Sequence, residues 1–101
     1  DAAVRQYREL KRLQPEKYNF NEPERTLNVL GYALLRQRKM KEALGVFKLN
    51  VEMFPQAANT YDSLAEAYML NGDKELAIEN YKRSLELDPK NTNAVDMLKK
   101  L

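Results

Sequence analysis

Side chains able to take a proton, attack a carbon or hold a metal are scarce in this sequence. It has no histidine and no cysteine, so the commonest general base and the commonest metal ligand are missing. Ser/His/Asp and Cys/His nucleophilic arrangements cannot be assembled within it, and neither can a thiolate metal site or a disulfide. Ser63 therefore has no histidine to activate it. Fifteen carboxylates remain, but acid/base work needs one held in an environment unlike its neighbours. Glu42, Glu52, Glu66, Glu79 and Glu86 recur among lysines and arginines and read as solubilising surface charge. No catalytic residue, metal ligand set or cofactor is expected.

Two basic clusters are the remaining candidates for chemistry. Arg36, Arg38, Lys39 and Lys41 put four cations into six residues, a group that could hold phosphate or an acidic tail. Arg5, Arg8, Lys11 and Arg12 surround Tyr7, a pattern open to RNA or an anionic membrane surface. Tyr7 falls on the apolar face of its own segment, however, where it cannot stack on bases. The net charge is only +2. Solvated helix faces are the favoured reading of both clusters, and neither nucleic acid nor membrane is expected as a partner.

These residues have to be positioned by one small domain. The chain has 101 residues, 44% hydrophobic and 32% charged, enough apolar surface for a modest core and too little continuous apolar sequence for a membrane span. It opens on Asp1 with neither an initiator Met nor a secretory signal pattern, as a processed chain or an excised fragment would. Cytoplasm and periplasm are both compatible with it.

Helical periodicity organises the whole length. In the first segment Ala3, Tyr7, Leu10 and Gln14 share a face with Val4 and Leu13 beside it, and Arg5, Arg8, Glu9 and Arg12 point away. Pro15 closes it. Asn21 and Glu24 have capping-box spacing, with Pro23 tolerated in the first turn. A helix over about 22–37 should bury Leu27, Leu30, Ala33 and Leu34, and its partner, ending near Phe54, should bury Ala43, Leu44, Phe47 and Val51. The same couple returns over about 59–70 and 74–87. Between its members Asn71-Gly72-Asp73 offers a left-handed stop and then an N-cap. A last helix over about 92–101 lines up Val95, Leu98 and Leu101.

The couples are copies. Pro55 and Pro89 are 34 residues apart, and residues 24–57 align without gaps on 58–91 with seven identities. These are Thr26/Thr60, Leu30/Leu64, Ala33/Ala67, Ala43/Ala77, Lys48/Lys82, Glu52/Glu86 and Pro55/Pro89. A fixed period of this length marks stacked supersecondary units. Pro15 precedes Pro55 by 40 residues, so the first helix belongs to the same series with six extra residues in the following loop. The chain thus divides into a half-repeat helix (1–15), an enlarged loop (16–23), two repeats (24–57 and 58–91) and a capping helix (92–101).

The second unit, Tyr61-x2-Leu64-Ala65-x2-Tyr68…Ala77-x3-Tyr81…Pro89, resembles the tetratricopeptide repeat. The first follows it through Leu27-x2-Leu30-Gly31-x2-Leu34…Ala43-x3-Phe47…Pro55. The resemblance implies an all-α superhelix in which Gly31 and Ala65 admit close helix approach and the aromatics fill the gap to the next unit. Two positions depart from the pattern. Arg38 stands where the family has a turn glycine, at a cost of ~0.5–1 kcal/mol if the backbone is left-handed there. Asn50 replaces a small residue, so a buried amide must find a partner.

The resemblance also implies a groove lined by the first helix of each pair: Asn28, Tyr32, Leu35, Arg36, Asn59, Asp62, Glu66, Met69 and Leu70. An extended peptide or partner helix would be gripped by Tyr32, Leu35 and Met69 and hydrogen-bonded by Asn28, Arg36 and Glu66. Chaperone-binding members clamp a terminal carboxylate with cations and amides, but the matching positions here are Asn28, Tyr32, Ser63, Asn93 and Met97. No cation remains, which argues against that ligand.

The strings Tyr18-Asn19-Phe20, Leu27-Asn28-x-Leu30-Gly31-Tyr32, Val46-Phe47-x-Leu49-Asn50-Val51 and Asn59-x-Tyr61-Asp62-Ser63-Leu64-Ala65-Glu66-Ala67-Tyr68 are similar to a tail that follows bacterial serine hydrolase domains, β-lactamase-like or α/β-hydrolase esterases. That implies a non-catalytic, protein-binding accessory module. Two alternatives stand beside it. The surface could pack on an absent N-terminal catalytic domain or on a second copy, with Tyr7, Leu10 and Leu13 as the homodimer surface. Or the basic first helix could bind anionic polymers or membranes weakly.

Overall fold

The computed structural model describes Arg5, residues 7–9, Arg12 and residues 23–101, and all of those before 23 are helical. Five helices follow: α1 (Pro23–Arg36), α2 (Met40–Met53), α3 (Ala58–Leu70), α4 (Lys74–Leu87) and α5 (Thr92–Lys100). No strand occurs among the described residues. Each helix packs on the next, and α1 also touches α3. The fold is therefore an all-α helical repeat.

The 34-residue period is written into the backbone hydrogen bonds. Arg38 N–H donates to Leu35 O at 3.0 Å and Lys39 N–H to Leu34 O at 2.9 Å; one period on, Gly72 donates to Met69 O at 3.1 Å and Asp73 to Tyr68 O at 2.9 Å. The second helix of each pair closes the same way, Phe54 N–H on Asn50 O and Asp88 N–H on Ser84 O. Pro55 and Pro89 sit just beyond those bonds, where a missing N–H breaks nothing.

A buried polar side chain repeats as well. Asn50 Nδ2 donates to Glu24 O at 3.0 Å, and Ser84 Oγ donates to Ala58 O at 2.9 Å. Each ties the second helix of its pair to a first-turn carbonyl of the first, an oxygen with two lone pairs that can accept this bond beside its own helix bond. The amide expected at Asn50 has thus found its partner through Nδ2, while its Oδ1 is buried without one.

The core runs through both pairs. Leu27, Leu30 and Leu34 of α1 meet Ala43, Val46 and Phe47 of α2, then Leu64, Ala65, Ala67 and Tyr68 of α3, Ala77 and Tyr81 of α4, and Ala94 of α5. A Cβ on Gly31 would land on the Phe47 ring, so glycine is what lets α1 and α2 close over that aromatic. Tyr32 stands edge-on to the same ring, centroids 5.2 Å apart and planes at 72°.

Several side chains differ from expectation. Leu44, Val51 and Ala33 are half-buried, and Val46, one residue from Phe47, takes the fully buried place. In α5 the buried residue is Ala94, with Leu98 and Leu101 packed at the core's edge and Val95 half-buried. Small residues fit where helices cross closest, so the long side chains are pushed to the seam margins. Gly72 has φ +86°, as its turn requires. Asp73 occupies the N-cap position of α4 but caps nothing; its carboxylate accepts from Asn71 Nδ2 at 2.8 Å instead. The Asn21/Glu24 capping box involves Asn21, outside the described residues.

Candidate interaction face

The first helices of the pairs share one polar face. Tyr32 Oη on α1 donates to Glu66 Oε1 on α3 at 2.9 Å and lies 3.4 Å from Ser63 Oγ. Asp62, a turn earlier on α3, accepts from Asn93 Nδ2 on α5 at 2.9 Å and from Asn91 Nδ2 at 2.8 Å. Asn91 Nδ2 also donates to Ser84 Oγ, and Asn91 Oδ1 caps α5 by accepting from Ala94 N–H. These bonds make α1, α3 and α5 a continuous face.

The electrostatics follow from this packing. Burial, reinforced by the Glu66 and Asp62 charges against an opposing contribution from Ser63, pushes the Tyr32 phenol up to about 12. Tyr81 behind it is raised as well, first by burial and then by the same two carboxylates. Among the described residues neither Asp62 nor Glu66 joins an ion pair. Both are held by neutral donors and are half-buried. Glu66 is therefore not the free surface charge its composition suggested, because its bond to Tyr32 is made only when one repeat stacks on the next. Glu42, Glu52, Glu79 and Glu86 are exposed.

The other groove candidates divide by accessibility. Arg36 and Asn59 are exposed, Leu35 and Met69 are half-buried against the core, and Leu70 is 58% exposed, the highest value among the exposed large apolar residues described. Asn28 is half-buried with its Oδ1 enclosed and unpartnered. Tyr7 packs against the core, and burial raises its phenol. Leu10 and Leu13, proposed with it as an oligomer surface, lie outside the described residues.

Away from this face, Lys48 lies 5.8 Å from the Tyr68 ring centroid and Arg83 5.7 Å from that of Tyr61. Sequence reasoning did not foresee either cation–π contact, since both join residues from different helices. Among the described residues no group of His, Cys, Asp or Glu could hold a metal ion, and no helix is long and apolar enough to cross a membrane.

This geometry defines an all-α helical-repeat protein with a polar, charge-bearing face along its first helices. Residues 58–91 match the family model of the tetratricopeptide repeat. The unit before them repeats its backbone hydrogen bonds at the same spacing. No curated protein matches the chain.

Proposed function

We propose that the chain is a protein-binding module without catalysis of its own, taking an extended partner segment along the α1–α3–α5 face. Tetratricopeptide repeats generally mediate protein–protein interaction. The observation that carries the reading is Leu70, an apolar side chain left 58% exposed on that face. Leu35 and Met69, at equivalent positions of α1 and α3, flank it with further apolar surface, and Arg36 and Asn59 supply accessible polar groups. Tyr32, Asp62 and Glu66 serve as scaffold, since their polar atoms are engaged within the protein. The resemblance of the strings around Leu27 and Asn59 to hydrolase tails supports a setting as the C-terminal accessory domain of a bacterial serine hydrolase.

Selection from a random-peptide display library tests this. Enriched peptides should lose binding to Leu70→Asp and keep it with Met53→Asp, an exposed apolar position at the end of α2. Equal loss in both variants, or a tight dimer in analytical ultracentrifugation that protects Leu70, would refute the reading.

A further inference from the structure

We infer that the turn between α1 and α2 is a second docking surface, one that takes an acidic polypeptide segment. Arg36, Arg38, Lys39 and Lys41 are all exposed. Among the described residues none of them joins an ion pair. Residues 36–42 carry a net charge of +3, whereas the equivalent residues 70–76 carry −1.

The second turn is an internal control, because its backbone is the same. The two turns make matched hydrogen bonds at matched distances, so folding does not require the cations. Three of the substitutions replace a neutral or acidic residue by a cation, and one of them runs against local stability. Arg38 holds φ +62° where its counterpart Gly72 holds φ +86°, and a residue with a Cβ is disfavoured in that left-handed region. Lys39 takes the N-cap position of α2 where Asp73 takes that of α4, and neither side chain caps its helix. Lys41 enters the first turn of α2 where α4 has Glu75, and Glu42 beside it balances it as Lys74 balances Glu75.

All three departures add positive charge at one exposed corner. A left-handed arginine whose charge joins those of its neighbours marks a functional surface more readily than a structural one. The guanidinium of Arg38 can fork onto a carboxylate while the lysines act as point charges beside it. Cations strung along an exposed turn suit carboxylates strung along an extended chain. Residues 36–42 contain no aromatic side chain, so single-stranded nucleic acid would lack a stacking platform there.

The test replaces the first turn by the residues of the second. A fluorescein-labelled oligoglutamate peptide should bind the wild-type chain, more weakly as salt rises. It should bind the R38G/K39D/K41E variant at least about tenfold more weakly, while that variant melts no lower than wild type. Amide shifts on titration should centre on Arg38 to Lys41. Unchanged affinity in the variant would overturn the inference. So would oligouridylate binding as tightly as oligoglutamate, or inorganic phosphate displacing the peptide at matched ionic strength. Leu70→Ala should leave oligoglutamate binding intact; its loss there would move the site to the α1–α3–α5 face and end the claim for a separate surface.

Discussion

The two repeats solve one packing problem with different residues. At the helix crossing the first pairs Gly31 with Phe47, while the second has Ala65 and Tyr81 at the same positions. At the buried cross-link the first uses Asn50 and the second Ser84, each reaching a carbonyl 26 residues earlier. At the connecting turn the first uses Arg38 and the second Gly72, both with positive φ. The backbone is held constant and the side chains trade size against one another. In the first repeat the larger amide and the larger turn residue each leave something unsettled, an unpartnered Oδ1 and a left-handed arginine.

The largest break in that comparison should come at the aromatic plug. Phe47→Ala removes a fully buried ring and should cost about 3–5 kcal/mol in urea unfolding. Gly31→Ala should cost about 1–3 kcal/mol by forcing its Cβ onto the same ring. A Gly31→Ala protein as stable as wild type would mean that the first crossing has the slack of the second.

Next come the buried cross-links. Asn50→Ala and Ser84→Ala each abandon a hydrogen bond to a first-turn carbonyl, at about 1–3 kcal/mol. Asn50→Ser should recover part of the Asn50→Ala loss by imitating Ser84. Equal stability of the Ser and Ala variants would show that the two cross-links are not interchangeable.

The turns should give smaller and opposite effects. Arg38→Gly should raise stability by roughly 0.5–1 kcal/mol and Gly72→Ala should lower it by a similar amount, since the left-handed backbone suits only one of each pair. Matching signs in thermal melts would break the equivalence of the turns.

The last signal appears only in alkaline stability. Tyr32 titrates near 10 in the unfolded chain and about 12 in the folded one, so above pH 10 the unfolded state releases its proton first. Stability is then unaffected below about pH 10 and falls as pH rises toward 12. Tyr32→Phe should soften that decline, and an unchanged alkaline profile would remove Tyr32 from its causes.

Some of this architecture is legible in the sequence because its causes are local. Pro55, Pro89, Gly31, Gly72 and the alanines at 43 and 77 act within a turn or a single helix crossing, so their spacing exposes the period directly. Arg38 is legible as a candidate left-handed residue because it stands where the tetratricopeptide pattern has a turn glycine. The face was less legible. Glu66 reads as one more surface carboxylate until α3 stacks on α1 and brings it to Tyr32. Asp62 gives no sign of its bonds to Asn91 and Asn93, which depend on where α5 begins. Val46 gives no sign of its burial, because its neighbour Phe47 already satisfies the helical stripe.

Tyr32 and Glu66 occupy the same position in successive repeats, 34 residues apart. Their bond therefore works as a directional coupling between unlike ends. A tandem array made by copying only the first unit would set phenol against phenol at that joint, and one made from the second would set carboxylate against carboxylate. The joint thus asks for unlike side chains in neighbouring units, and lengthening this solenoid would favour alternating them over multiplying either.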